Sequence, residues 1–188
     1  MENIYKTFVA IILLAVSGSA AAIAITGQIN IAGPSSVTDD GAFSTGIDFH
    51  NGTVDPWTPT GTFASLGGIS TIPSALGTLS LYDFTYSSVP QTLWSISSGE
   101  LDYSFTLTSV SVSSGDTISN GFMNLVLNGS GFFSATGFMD TAGSWTYSQS
   151  GATFSSQNVA HAAEPASIAL LGLGLVGIGA ARRLRKSV

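Results

Sequence analysis

The sequence predicts an all-β protein: a single antiparallel β-sandwich or jelly-roll-like body carried between two hydrophobic ends. Three observations lead there. Apolar residues of the body alternate with polar ones at a period of two, as half-buried antiparallel strands require. No body segment repeats its apolar residues at the 3.6-residue period of an amphipathic helix. Pro56, Pro59, Pro73 and Pro90 fall between the alternating runs, where a missing backbone donor does no harm.

In chain order, strand patterns begin with residues 25–31, 43–49 and 78–86. Next, Leu101, Tyr103, Phe105 and Leu107 share one face of a strand while Asp102, Ser104, Thr106 and Thr108 share the other. The face switches at Ser109-Val110-Ser111-Val112, which predicts a bulge or a break. Met123, Leu125 and Leu127 alternate up to the turn signal Asn128-Gly129-Ser130-Gly131, and residues 132–136 return, so a hairpin is expected. Residues 145–148 and 152–155 flank Ser150-Gly151 as another. The spacing gives roughly eight to ten strands. Trp94 and Trp145 lie inside strand patterns and read as core, whereas Trp57 lies between two prolines. A β-solenoid is the competing architecture, since GTLSLYDFTYSS and GFFSATGFMDTAGSWTYS echo each other. Their turn intervals are uneven, however, and a solenoid demands a fixed repeat.

The two ends have a different composition. Lys6, the apolar residues 8–16 and the small residues 17–24 form a signal peptide of the kind the Sec export machinery takes. A-x-A sites end at Ala22 and Ala24; cleavage after Ala24 leaves a strand-like mature start, and cleavage after Ala22 is the alternative. At the other end Glu164-Pro165 precedes a predominantly apolar run, residues 166–181, and a basic tip of Arg182, Arg183, Arg185 and Lys186. The run falls slightly short of the ~20 residues of a spanning helix, a deficit that snorkelling Arg and Lys stems can cover. Positive charge after the span is retained in the cytoplasm, which places the body outside it. The expected organisation is a signal peptide at 1–24, an all-β extracytoplasmic domain at 25–155, a linker at 156–163 and the tail at 164–188.

In order, spacing and composition this tail resembles the PEP-CTERM sorting signal of bacteria with an outer membrane. There a Pro-Glu-Pro motif is followed by a Leu/Gly-rich helix and an Arg-rich end. Here Ala163 stands where the first proline would be, leaving Ala-Glu-Pro. The resemblance implies recognition by an exosortase-type membrane protease, transient anchoring in the inner membrane, and release or transfer of the body to the cell surface or matrix. An ordinary C-terminal membrane anchor is the bland alternative. Gly172, Gly174, Gly177 and Gly179 keep the helix slim enough to pack inside a membrane partner. Gly172-Leu173-Gly174-Leu175-Val176-Gly177 also matches the dinucleotide fingerprint in form. That match is a decoy, because no strand precedes it and too little chain follows for a βαβ unit.

Charge narrows the function classes. All five Lys and Arg belong to the two ends, so the body has none to set against Asp39, Asp40, Asp48, Asp55, Asp83, Glu100, Asp102, Asp116, Asp140 and Glu164. Nucleic-acid binding, which rests on cations that neutralise phosphates, is excluded. With no Cys there is no thiol nucleophile and no disulfide staple, but a body of this length builds a core without one. No G-x-S-x-G elbow occurs, and only His50 and His161 exist; His50, near Asp48 and Asp55, is the one candidate base and reads more readily as a surface residue. Glu100 and Asp102 are expected on one outward strand face, as a solvated pair rather than a glycosidase pair. Asp39, Asp40, Asp48 and Asp55 offer hard oxygen ligands for calcium, although acidic turns are the simpler reading and no cofactor is otherwise implied. Asn51-Gly52-Thr53 and Asn128-Gly129-Ser130 match the glycosylation pattern. The expected function is a non-enzymatic surface or extracellular-matrix protein of the biofilm kind, associated with exopolysaccharide. A secreted carbohydrate-binding module or carbohydrate-active enzyme is the alternative.

Overall fold

The computed structural model describes residues 23–115, 124–150 and 153–160 together with Gly174. The signal peptide up to Ala22 and the tail apart from Gly174, with Glu164, Pro165, Gly172, Gly177, Gly179, Arg182, Arg183, Arg185, Lys186 and also His161, lie outside the described residues.

The all-β expectation holds. Twelve strands are present among the described residues: β1 (Ile23–Ala24), β2 (Gly27–Asp39), β3 (Ser44–Phe49), β4 (Thr53–Val54), β5 (Thr78–Leu81), β6 (Phe84–Thr85), β7 (Gln91–Ser98), β8 (Leu101–Ser114), β9 (Val126–Ala135), β10 (Phe138–Met139), β11 (Thr141–Ser150) and β12 (Thr153–Ala160). Only β1 and β10 pair in parallel, as a two-stranded ribbon. The other ten form one antiparallel sheet, ordered β5-β7-β8-β9-β11-β12-β2-β3-β6, with β4 on β2.

That continuous sheet replaces the expected pair of facing sheets. It curls into a half-barrel, and the contacts across its hollow show how tightly. The indole N–H of Trp94 on β7 donates to Asn158 Oδ1 on β12, 3.0 Å away, although three strands lie between them. Phe84 on β6 meets Trp145 on β11 at 5.9 Å, again with three strands between. A curled sheet needs a plug rather than a second sheet, and the connection between β4 and β5 supplies it. Phe63, Leu66 and Ile69 of that connection are fully buried, with the Phe63 ring 5.3 Å from Phe133 and 6.1 Å from Tyr103. Burying each such side chain contributes about 1.5–3 kcal/mol. Trp94 and Trp145 are core residues, as expected, and Trp57 is 91% exposed.

Two local expectations need correction. The turn signal at Asn128–Gly131 is no hairpin, because β9 runs straight through it. Gly129 and Gly131 serve close approach instead: a Cβ on Gly129 would lie 2.6 Å from the Ser109 carbonyl oxygen and 3.1 Å from the Trp145 ring. Without an alignment of partners, a glycine needed for contact looks like a glycine needed for turning. The bulge expected at Ser109 is there, as a register shift of β8 against β9 between Leu107 and Ser109. Secondly, the segment expected as a linker from residue 156 is still strand as far as Ala160. β12 sits inside the sheet, paired on one side with β11 and on the other with β2. Its Asn158 is fully buried and donates through Nδ2 to the Ile29 carbonyl at 3.3 Å. A lone buried Asn breaks the alternation that a strand is recognised by. The hairpin expected at Ser150-Gly151 is formed, with Ser150 opposite Thr153.

Candidate functional site

His50 follows β3, its backbone N–H donating to the Pro34 carbonyl at 3.2 Å. The β2–β3 register sets Ser36 opposite Asp48. His50 consequently has Nε2 at 3.3 Å from Ser36 Oγ and Nδ1 at 4.0 Å from Asp48 Oδ1. The order is that of a nucleophile, base and acid, but the acid is beyond hydrogen-bond distance and about half of each of the His50 and Asp48 side chains is open to water. The cluster behaves as a solvated surface group. Ser36 was not legible beside His50 in sequence, because strand pairing alone brings it there.

The proposed calcium ligands do not converge. Asp39 Oδ1 accepts the Gly41 N–H at 2.8 Å, and Asp40 Oδ1 accepts those of Phe43 and Ala42 at 2.9 and 3.0 Å. The Phe43 and Ala42 amides hold the Asp40 carboxyl below the usual carboxylate range. Asp55 Oδ1 accepts the Trp57 N–H at 2.9 Å. These carboxylates fix turns, as Asp commonly does, and among the described residues no three His, Asp or Glu gather into a metal-holding group. Nor do Glu100 and Asp102 share a strand face: Glu100 belongs to the turn before β8, and Asp102 Oδ1 accepts the Ser97 hydroxyl at 2.6 Å.

The more organised polar feature is the convex face of the sheet. Many of the side chains that point away from the core are hydroxyls and amides, in register across several strands. Ser80, Ser95, Ser104 and Ser134 make one row, and Ser134 donates to Asp140 Oδ1 at 2.6 Å. Ser111, Asn128, Thr146, Gln157 and Asn30 make a second row across β8, β9, β11, β12 and β2. This row ends at the loop between β4 and the Phe63 turn. The loop is stitched to β2 by Asp55 N–H to Asn30 O at 2.9 Å and Thr60 N–H to Gln28 O at 3.0 Å, and the Gln28 N–H returns to Thr60 Oγ1 at 3.1 Å. Held in that loop between Pro56 and Thr58 is the exposed Trp57. Asn30 Oδ1 and Thr58 Oγ1 are buried, with no protein hydrogen-bond partner. Sequence reading placed Asn30 and Thr146 in strands but missed two members of this row, since Gln157 was assigned to the linker and Asn128 to a turn.

The tail contributes no comparable geometry; Gly174, its one described residue, is helical and exposed. Comparison with known proteins is informative there and silent elsewhere. No curated protein and no solved structure matches the chain. A family model described as the PEP-CTERM protein-sorting motif matches residues 164–186. The match covers the Glu164-Pro165 dipeptide, the apolar run and the basic tip, so Ala163 in place of the first proline does not remove the chain from the class. Residues 164–186 are therefore a PEP-CTERM protein-sorting motif, which indicates an exported protein transiently anchored in the membrane and implies processing by an exosortase.

Proposed function

We propose that the β body is a non-enzymatic surface or extracellular-matrix protein, delivered through the Sec machinery, freed from its anchor by the exosortase and retained among exopolysaccharide. The observation that carries this reading is the pairing of a sorting motif with a body whose outer surface is a broad array of hydroxyl and amide groups without a single Lys or Arg. Such a surface hydrogen-bonds neutral polymers and offers little to stabilise developing negative charge in a transition state. No cofactor enters the proposal.

Mass spectrometry of the protein recovered from envelope and matrix fractions tests it. The mature form should lack both hydrophobic ends, and the Glu164→Ala, Pro165→Ala variant should remain in the membrane fraction. Unchanged release of that variant, or a tail intact beyond residue 166 in matrix-recovered protein, would refute processing at this motif. The Ser36–His50–Asp48 cluster is the one observation that favours the enzyme alternative. Hydrolysis of an acylated polysaccharide that disappears in His50→Ala would promote it.

A further inference from the structure

We infer that the row of Asn128, Thr146, Gln157 and Asn30 on the convex face, closed at its end by Trp57, is the binding site for an uncharged polysaccharide chain lying across the strands. This inference rests on the matrix reading above and assigns it a place on the molecule.

Neighbouring strands are about 4.8 Å apart, so the four steps from Asn128 to the Trp57 loop span roughly 19 Å, room for several sugar rings in line. The exposed Asn128 and Gln157 each present both a donor and an acceptor, and Thr146 a hydroxyl that serves as either, while Asn30, whose Oδ1 is buried, offers its amide nitrogen. Sugar hydroxyls need that same mixed capacity. Gln157 is already linked to the residue two positions from Asn30 along β2, with Nε2 donating to Gln28 Oε1 at 3.3 Å, which widens the amide surface beside Asn30. Trp57 supplies what the amides lack, a large flat apolar face for the C–H side of a ring. Its loop is anchored at both ends to β2 and its own N–H is held by Asp55, so the indole is displayed from an ordered support.

Charge selects the occupant. The row itself is neutral, and the body around it has carboxylates and no cation, so an anionic polymer is repelled and gains no ion pair. A neutral glycan needs neither. Its binding should therefore be nearly independent of salt, unlike attraction between charges.

The test uses the mature protein purified from producing cells, with native affinity gels containing soluble dextran or xyloglucan, pull-down on cellulose, and the neutral polysaccharide fraction isolated from the same cells' matrix. Alginate gels and phosphatidylcholine vesicles are run alongside. Wild type should be retarded by at least one neutral polymer, at low and high salt alike. Trp57→Ala should weaken that binding by about tenfold or more and Gln157→Leu by a smaller factor, as for central and peripheral contacts of an interface. Phe43→Ala, at an exposed aromatic of another turn, should leave it unchanged, and unaltered melting temperatures would show that the folds are intact. The site is refuted if no neutral polymer binds, if alginate or vesicles bind in their place, or if Trp57→Ala binds as wild type does. Localisation separates the two levels. A Trp57→Ala protein that stays with matrix polysaccharide as wild type does removes this site and spares the matrix reading. A wild type that is exported and processed but never found with polysaccharide removes both.

Discussion

The two faces of the curled sheet are made by the same strands, one residue out of phase, and they obey opposite rules. On the concave face aromatic rings touch one another, Phe105 to Phe133 at 4.8 Å and Trp94 to Phe133 at 6.0 Å. The buried polar groups Ser35, Tyr147 and Gln149 are tied to one another there. Tyr147 donates to Gln149 Oε1 at 2.7 Å and shares a 2.9 Å hydrogen bond with Ser35 Oγ, while Gln149 Nε2 donates to the Ser35 carbonyl at 3.2 Å. On the convex face Ser, Thr, Asn and Gln stand in water, and their mutual hydrogen bonds compete with solvent. The lesson is that stability is concentrated on one face and recognition is free to occupy the other.

Neighbouring residues that point to opposite faces can break this comparison. The largest difference is expected at 132 and 133. Phe133→Ala should cost about 3–5 kcal/mol in urea unfolding by opening a cavity between Phe63, Trp94 and Phe105, whereas Phe132→Ala, whose ring is 49% exposed, should change stability by about 0.5 kcal/mol or less. Equal losses at the two positions would show that the faces are wrongly assigned. A smaller contrast is expected at 157 and 158: Asn158→Leu strands the Trp94 indole N–H in the core at a cost of about 1–3 kcal/mol, and Gln157→Leu is nearly neutral for folding. The smallest at neutral pH is at 146 and 147. Tyr147→Phe should cost about 1 kcal/mol there, but it also alters the alkaline limit. Burial pushes the Tyr147 hydroxyl well above its ordinary value of 10.0, more than its Ser35 hydrogen bond pulls it down, and burial raises Tyr103 as well. The folded protein thus holds these protons more tightly than the unfolded chain. Their contribution is intact below pH 10.0 and is lost as pH rises above it. Wild type should melt progressively earlier above that pH, Tyr147→Phe should show a flatter decline, and Thr146→Ala should follow wild type.

Alternation made the sheet legible in sequence wherever a strand has one apolar and one polar face, as in β8 and β11. It failed where tertiary contact decides a residue's role. Gly129 and Gly131 make room for neighbours that lie far away in the chain, and Asn158 is polar because it must bridge Trp94 and β2 across the hollow. Curling is a property of the whole sheet, so no window of residues distinguishes a half-barrel with a plug from a sandwich. For the candidate site, Trp57 was visible as the tryptophan outside any strand pattern. The row beside it depends on the register of β9, β11, β12 and β2, which only the pairing reveals. The sorting tail was legible because its recognition is linear: a dipeptide, an apolar run and a basic tip require no partner strand.

The position of β12 has a consequence for biogenesis. The last of the described strands is inserted between β11 and β2, joining the strand made just before it to one made much earlier. A chain exported amino end first therefore carries two unmatched strand edges until residue 160 has crossed, and such edges are the usual starting points of aggregation. Only His161, Ala162 and Ala163 then separate the finished sheet from Glu164. The step that completes the body and the arrival of the sorting motif at the membrane are thus nearly simultaneous. At the same end of the sheet Gly27 pairs with Ala160, so the entering and leaving segments of the chain meet at one pole.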